Sequence, residues 1–168
     1  MKSVMFIGYG SMAKKVHEML PQNIVLSTVV ASPKSAESIK AEIGDSIEVI
    51  TCVDDLTNMP DLAIEMSGQN GLKEHAIKIL EKCIPLGIVS VGAFTDETFA
   101  VALADAAQRN GVNIRILAGA VAGIDGINAA SLAGLDRVVY QGRKQTDSWK
   151  GSHADQLIDY DHLKEATV

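Results

Sequence analysis

The sequence is short of cysteine, of aromatic residues and of positive charge, and each shortage excludes something. Only two cysteines occur among 168 residues, Cys52 and Cys83. Their spacing fits neither a metal motif nor a disulfide framework, so they read as reduced thiols and suggest a cytoplasmic protein. Aromatics make up 4% of the chain, while 47% is apolar, mainly Ala, Ile, Val and Leu. That mixture suits helices packed on a buried parallel sheet better than a β-sandwich. The formal net charge is −6 and no basic run reaches five residues, which argues against nucleic acid or a membrane surface as the main partner. No apolar run is long enough to span a bilayer. The first one, Val4 to Ile7, is also too short for a signal peptide, and charge returns at Lys14 and Lys15.

Strand and helix patterns alternate along the first 117 residues. Strands are expected at Val4–Ile7, Ile24–Ala31, Ile47–Thr51, Asp61–Glu65, Leu86–Val91 and Val112–Leu117. Between them, helical patterns run from Ser11 to Leu20, from Ser32-Pro33 to Ile43, from Asn70 to Cys83 and from Asp96 to Arg109. Pro21 closes the first helix, Ser32-Pro33 reads as a cap and first turn, and Gly111 follows the last helix. Six strands with interleaved helices imply an α/β fold, a doubly wound Rossmann parallel sheet with right-handed crossovers. After Leu117 the pattern changes. A Gly/Ala-rich stretch leads into a small-residue helix, and "DRVVYQGRKQ" reads as one more strand. A lone strand needs partners. Residues 118–168 are therefore expected to begin an incomplete α+β segment, separate from the 1–117 domain.

The first crossover carries the chemistry. Gly8-Tyr9-Gly10-Ser11-Met12-Ala13 has the form G-x-G-x-x-A between a strand and a helix. Gly8 permits a sharp turn, Gly10 lets a pyrophosphate approach the main chain, and Ala13 lets the helix sit against the strand. The amides near Ser11 and Met12 then face the phosphates, aided by the helix dipole. The competing reading is a glycine-rich turn that holds nothing.

NAD-selective sites commonly place an acid after the second strand, to hold the ribose hydroxyls. Here the sequence is Ala31-Ser32-Pro33-Lys34. Ser32 and Lys34 suit a 2′-phosphate, so the expected cofactor is NADP, or NADP and NAD alike. Alternatively, Ser32 only caps the helix and Lys34 is solvated. Ser67 and Gly68 after the fourth strand, and Ser90 and Gly92 after the fifth, are small enough for a nicotinamide ribose to come close, or are ordinary turn residues.

"EMSGQNGLKEHA", "VSVGAFTDE" and above all "AGAVAGIDGINAASLAGLDRVVYQGRK" resemble the L-aspartate dehydrogenase family, in order and over essentially the whole chain. The resemblance implies an NAD- or NADP-dependent oxidation of L-aspartate to iminoaspartate, which can feed pyridine-nucleotide biosynthesis. It also implies a Rossmann domain joined to an α+β substrate domain, and a homodimer. It places Ala120 near the nicotinamide. Helix physics adds Val121, Ala122, Gly123 and Ile124, whose amides open the next helix and can receive a substrate carboxylate. The family's catalytic histidine is expected beyond Val168, so no catalytic residue is assigned. His17 and His75 lie on helices. His153, Asp155, Asp159, Asp161 and His162 read as a solvated tail, not a metal site. Two other readings stay open: a homoserine- or semialdehyde-type dehydrogenase, and a non-catalytic dinucleotide-binding module.

Overall fold

The computed structural model describes residues 1–117, 123–142, 157 and 159. By contact the chain divides into two units, Met1–Ala122 and Gly123–Val168.

The first unit is built on six parallel strands: β1 (Lys2–Ile7), β2 (Ile24–Val30), β3 (Glu48–Ile50), β4 (Leu62–Glu65), β5 (Leu86–Ile88) and β6 (Ile114–Ile116). Their spatial order is β3-β2-β1-β4-β5-β6. The chain starts in the middle, winds outward through β2 and β3, returns to β4 beside β1, and winds outward again. This is the doubly wound Rossmann arrangement, and the order reverses between β1 and β4.

The sequence of β1 shows why the sheet is covered on both faces. Val4 and Phe6 point to one side, Met5 and Ile7 to the other, and all four are buried. Val4 and Phe6 pack with Ala13 of α1 (Ser11–Glu18) and Ile39 of α2 (Ala36–Ile43). Met5 and Ile7 pack with Leu72, Ala76, Ile79 and Leu80 of α3 (Gln69–Glu81) and Leu103 and Ala106 of α4 (Glu97–Asn110). Each such fully buried aliphatic side chain contributes about 1.5–3 kcal/mol relative to exposure.

Helix ends depart from the expectation in informative ways. The α1 helix stops at Glu18, and its last turn tightens through Met19 N–H to Val16 and Leu20 N–H to His17, at 3.1 and 3.2 Å. The residue before Pro21 is disfavoured in the helical region, so the helix closes early. Ser32 does not cap α2. Its carbonyl accepts the N–H groups of Ser35 and Ala36 at 2.9 and 3.0 Å, making a separate turn, and Ser35 is the cap. Pro33 suits the second position of such a turn. Asp96 is the cap of α4, not part of its first turn. Its carboxylate accepts the Phe99 N–H at 3.1 Å, and Gly111 ends the helix in the left-handed region.

In the second unit, α5 (Ile124–Ala133) is the expected small-residue helix. The following residues 137–142 form no strand. Among the described residues no strand pairs with them, and a segment without a neighbour has no ladder to join; the remaining residues of the expected strand, 143–145, lie outside the described residues.

Asp61 ties the amino ends of β1 and β4 together. It accepts Lys2 Nζ at 2.8 Å and the Ser3 N–H at 2.8 Å. The Lys2 ammonium, then the Ser3 N–H, holds the Asp61 carboxyl down to about 2 from an ordinary 3.8. A depressed folded value means that its contribution is complete above the ordinary pKa and disappears as pH falls through about 2. Asp61→Asn should therefore lower the urea midpoint at pH 7. The gap from the parent protein should close as both are taken down to pH 2. A gap independent of pH would contradict this assignment.

Candidate dinucleotide site

The site is assembled where the carboxyl ends of β1, β2, β4 and β5 open. Gly8 follows β1 with φ +85°, and its N–H donates to the Val30 carbonyl at 2.8 Å. Only glycine is comfortable there. A Cβ would also meet Ser67 Cα at 2.8 Å and Ser67 Cβ at 2.9 Å. Gly8 therefore answers two demands: a left-handed turn, and contact with the segment after β4.

Gly10 differs. Its backbone is extended, with φ −80°, and a Cβ there would meet nothing within 4 Å among the described residues. Gly10 precedes α1, which has no side-chain cap and no acid in its first turn. Among the described residues the first-turn N–H groups at Ser11, Met12 and Ala13 thus lack side-chain partners, and no acid in that turn neutralises the positive end of the helix dipole. Ser11 and Met12 are exposed, whereas Ala13 is fully buried and lets α1 lie on β1. An open cradle of main-chain donors at a helix start fits a pyrophosphate.

After β2, Ser32 and Lys34 are both exposed. The Ser32 hydroxyl is 2.8 Å from the Ser35 hydroxyl. Lys34 makes no ion pair among the described residues. No acid stands between Ala31 and Ser35.

Ser67, Gly68, Ser90 and Gly92 were legible in the sequence, but the residue that gathers the first three was not. Glu65 ends β4 and is 0% exposed. Its Oε1 accepts Ser67 N–H at 2.8 Å, Gly68 N–H at 2.9 Å, the Ser67 hydroxyl at 3.1 Å and the Ser90 hydroxyl at 2.8 Å. Its Oε2 accepts Ser90 N–H at 2.9 Å and Val89 N–H at 3.3 Å. The available signal was an acid at the end of an apolar strand, in "LAIEMSG", where burial demands donors. The other small residues serve neighbouring side chains. A Cβ on Gly71 would collide with the Ser67 hydroxyl at 2.2 Å, and one on Gly92 would collide with Gln69 Nε2 at 2.4 Å.

Of the remaining expected site residues, Ala120, Val121 and Ala122 lie outside the described residues. Gly123, at φ +87°, precedes α5, which Ile124 opens. His17 bonds the Tyr9 hydroxyl at 2.7 Å, and His75 is buried in α3. Burial, more than the opposing pull of nearby Glu74, pushes His75 below the ordinary histidine range. Among the described residues no cluster of His, Cys, Asp and Glu could hold a metal, and no helix is long and apolar enough to cross a membrane.

The strand order, the glycine turn and the open helix start define a nicotinamide-dinucleotide-binding domain of the Rossmann class. Residues 8–117 match the family described as "Homoserine dehydrogenase, NAD binding domain", and the chain belongs to that family. Over its full length it is 75% identical to an L-aspartate dehydrogenase of Psychrobacter cryohalolentis and 44% identical to one of Acinetobacter baumannii. It spans 64% of the length of each of these curated relatives. A crystal structure of aspartate dehydrogenase from Thermotoga maritima shares the fold, with a TM-score of 0.57 at 18% identity, over 94% of this chain and 68% of that one.

Gly8→Ala should cost at least about 2 kcal/mol of stability, because the positive φ and the fixed Ser67 backbone cannot both be accommodated. Urea unfolding measures this. A loss under about 0.5 kcal/mol would mean that the turn relaxes freely.

Proposed function

We propose that this chain is the cofactor-binding part of an NAD(P)-dependent oxidoreductase that converts the CH–NH2 group of L-aspartate to the imine of iminoaspartate. The observation that carries the cofactor half is the uncapped start of α1 beside a glycine whose missing side chain leaves open space. The likeness to L-aspartate dehydrogenases along the entire chain supports the substrate.

In this reading the N–H groups of Ser11, Met12 and Ala13 hold the pyrophosphate across Gly8 and Gly10. The segments after β4 and β5 flank the nicotinamide, with Ala120 beside it. When bound, the cofactor supplies a two-electron acceptor for the carbon bearing the amine. The chain's own share is to bind and orient: main-chain donors for the phosphates, small residues for close approach, and amides at Val121 to Ile124 for a substrate carboxylate. The second unit is the beginning of a substrate domain. The assembly is a cytoplasmic homodimer, which sedimentation of the purified protein tests.

We further infer that NADP is accepted at least as well as NAD. No acid follows β2 to hold the ribose hydroxyls or repel a 2′-phosphate, and Lys34 is an exposed cation without an ion-pair partner among the described residues. The family description favours one second reading, a homoserine dehydrogenase using the same cofactor domain. A chimera of this chain with the carboxyl-terminal remainder of the Psychrobacter protein separates the two. Reduction of NAD(P) with L-aspartate and not with L-homoserine is expected, and the reverse would overturn the substrate assignment.

Fluorescence titration with NADPH and NADH tests the cofactor reading directly. Gly10→Val should unfold within about 0.5 kcal/mol of the parent protein, because its side chain enters open space. It should nevertheless lose at least about tenfold in NADPH affinity, because that space is the phosphate's. Lys34→Ala should weaken NADPH about fivefold and leave NADH unchanged, as expected for one exposed charge-assisted contact. Retained NADPH affinity in Gly10→Val would remove the pyrophosphate from the glycine turn.

A further inference from the structure

We propose that Glu65 is a positioning residue for the nicotinamide half of the dinucleotide. Its carboxylate would set the spacing between the segments that follow β4 and β5. The proposal rests on the dinucleotide reading above.

Burying a carboxylate is costly unless hydrogen-bond donors or a cation compensate it. Glu65 is fully buried, and no cation pairs with it among the described residues. The compensation is four main-chain N–H groups and two hydroxyls, drawn from Ser67 and Gly68 on one segment and Val89 and Ser90 on the other. Neither segment belongs to a strand or helix at those residues. Their N–H groups would otherwise have no ladder to join, and a carboxylate is the side chain that accepts on both sides at once. An apolar residue in its place would fill the volume and leave the N–H groups buried or splayed.

The clamp lies where position matters for a ligand. The β1 and β4 strands flank the point at which the sheet order reverses, and β5 is the next strand along. Ser67, held by Glu65, also touches Gly8 of the pyrophosphate turn and fills the space above Gly71. Gln69, one residue past Gly68, lies over Gly92. The carboxylate thus connects both nicotinamide-side segments to the turn that would hold the phosphates. The adenosine side, after β2, receives none of these bonds.

Glutamine at 65 keeps the shape and loses one acceptor. Whichever way its amide turns, an NH2 group confronts either the Ser67–Gly68 pair of N–H groups or the Val89–Ser90 pair. In Glu65→Gln, NADPH affinity should fall at least about tenfold, while affinity for 2′,5′-ADP, which lacks the nicotinamide half, should change less than about twofold. Amide hydrogen exchange should accelerate at one of the two pairs. Unchanged NADPH affinity, or equal losses for NADPH and 2′,5′-ADP, would overturn the proposal. Parent protein that binds neither ligand would instead overturn the dinucleotide reading on which the proposal stands. Should Glu65→Gln fail to fold, exchange in the parent protein decides. The Gly68 and Ser90 amides, outside any ladder, should exchange at least about a hundredfold more slowly than an exposed loop amide. Rapid exchange there would refute the clamp.

Discussion

The Glu65 carboxylate is an anion without a counter-ion among the described residues, held entirely by N–H and O–H donors. Such an arrangement is stable only when every donor arrives in the right place. The segments after β4 and β5 therefore cannot wander independently of each other. Ser67 passes the constraint onward, because Gly8 and Gly71 leave just enough room for it. The mouth of the sheet is thereby fixed from underneath, by one side chain reaching out of β4.

The two glycines of the first turn illustrate different physical reasons for the same residue. Gly8 is glycine for the protein's own sake, because its φ is positive and a neighbour's backbone lies where a side chain would go. Gly10 meets no such demand from the described residues, among which a side chain there would enter empty space. An internally unnecessary glycine beside an uncapped helix start points outward, to something that must come close to main-chain amides. The contrast separates a ligand-binding turn from a merely tight one.

Much of the frame was legible in the residues. The period of apolar positions marked every strand and α-helix described in the first unit, because a parallel sheet buried on both faces writes continuous apolar runs such as "VMFI". Gly111 and the proline at 21 marked helix ends through local backbone chemistry. Ser32 misled, since Ser-Pro before a helical pattern fits both a cap and a turn, and only the hydrogen bonds of its carbonyl distinguish them. In "DRVVYQGRKQ", the described residues 137–142 form no strand, and 143–145 lie outside the described residues. Strand propensity is a preference for a pleated surface, and a strand forms only where a neighbour supplies the ladder.

By itself the sequence determined which residues turn, which enter the core and where a helix opens without an acid in its first turn, because turn geometry, burial periodicity and helix starts are local properties. It could not disclose that Glu65, Ser67, Val89 and Ser90 share one set of hydrogen bonds, nor that Gly8 stands against Ser67. The three stretches around Gly8, Glu65 and Ser90 are distant along the chain, and they meet only because β4 returns to the centre of the sheet between β1 and β5. Tertiary structure decided that an acid read as the last residue of a strand joins the segments after β4 and β5, since a buried carboxylate takes its meaning from the donors that surround it.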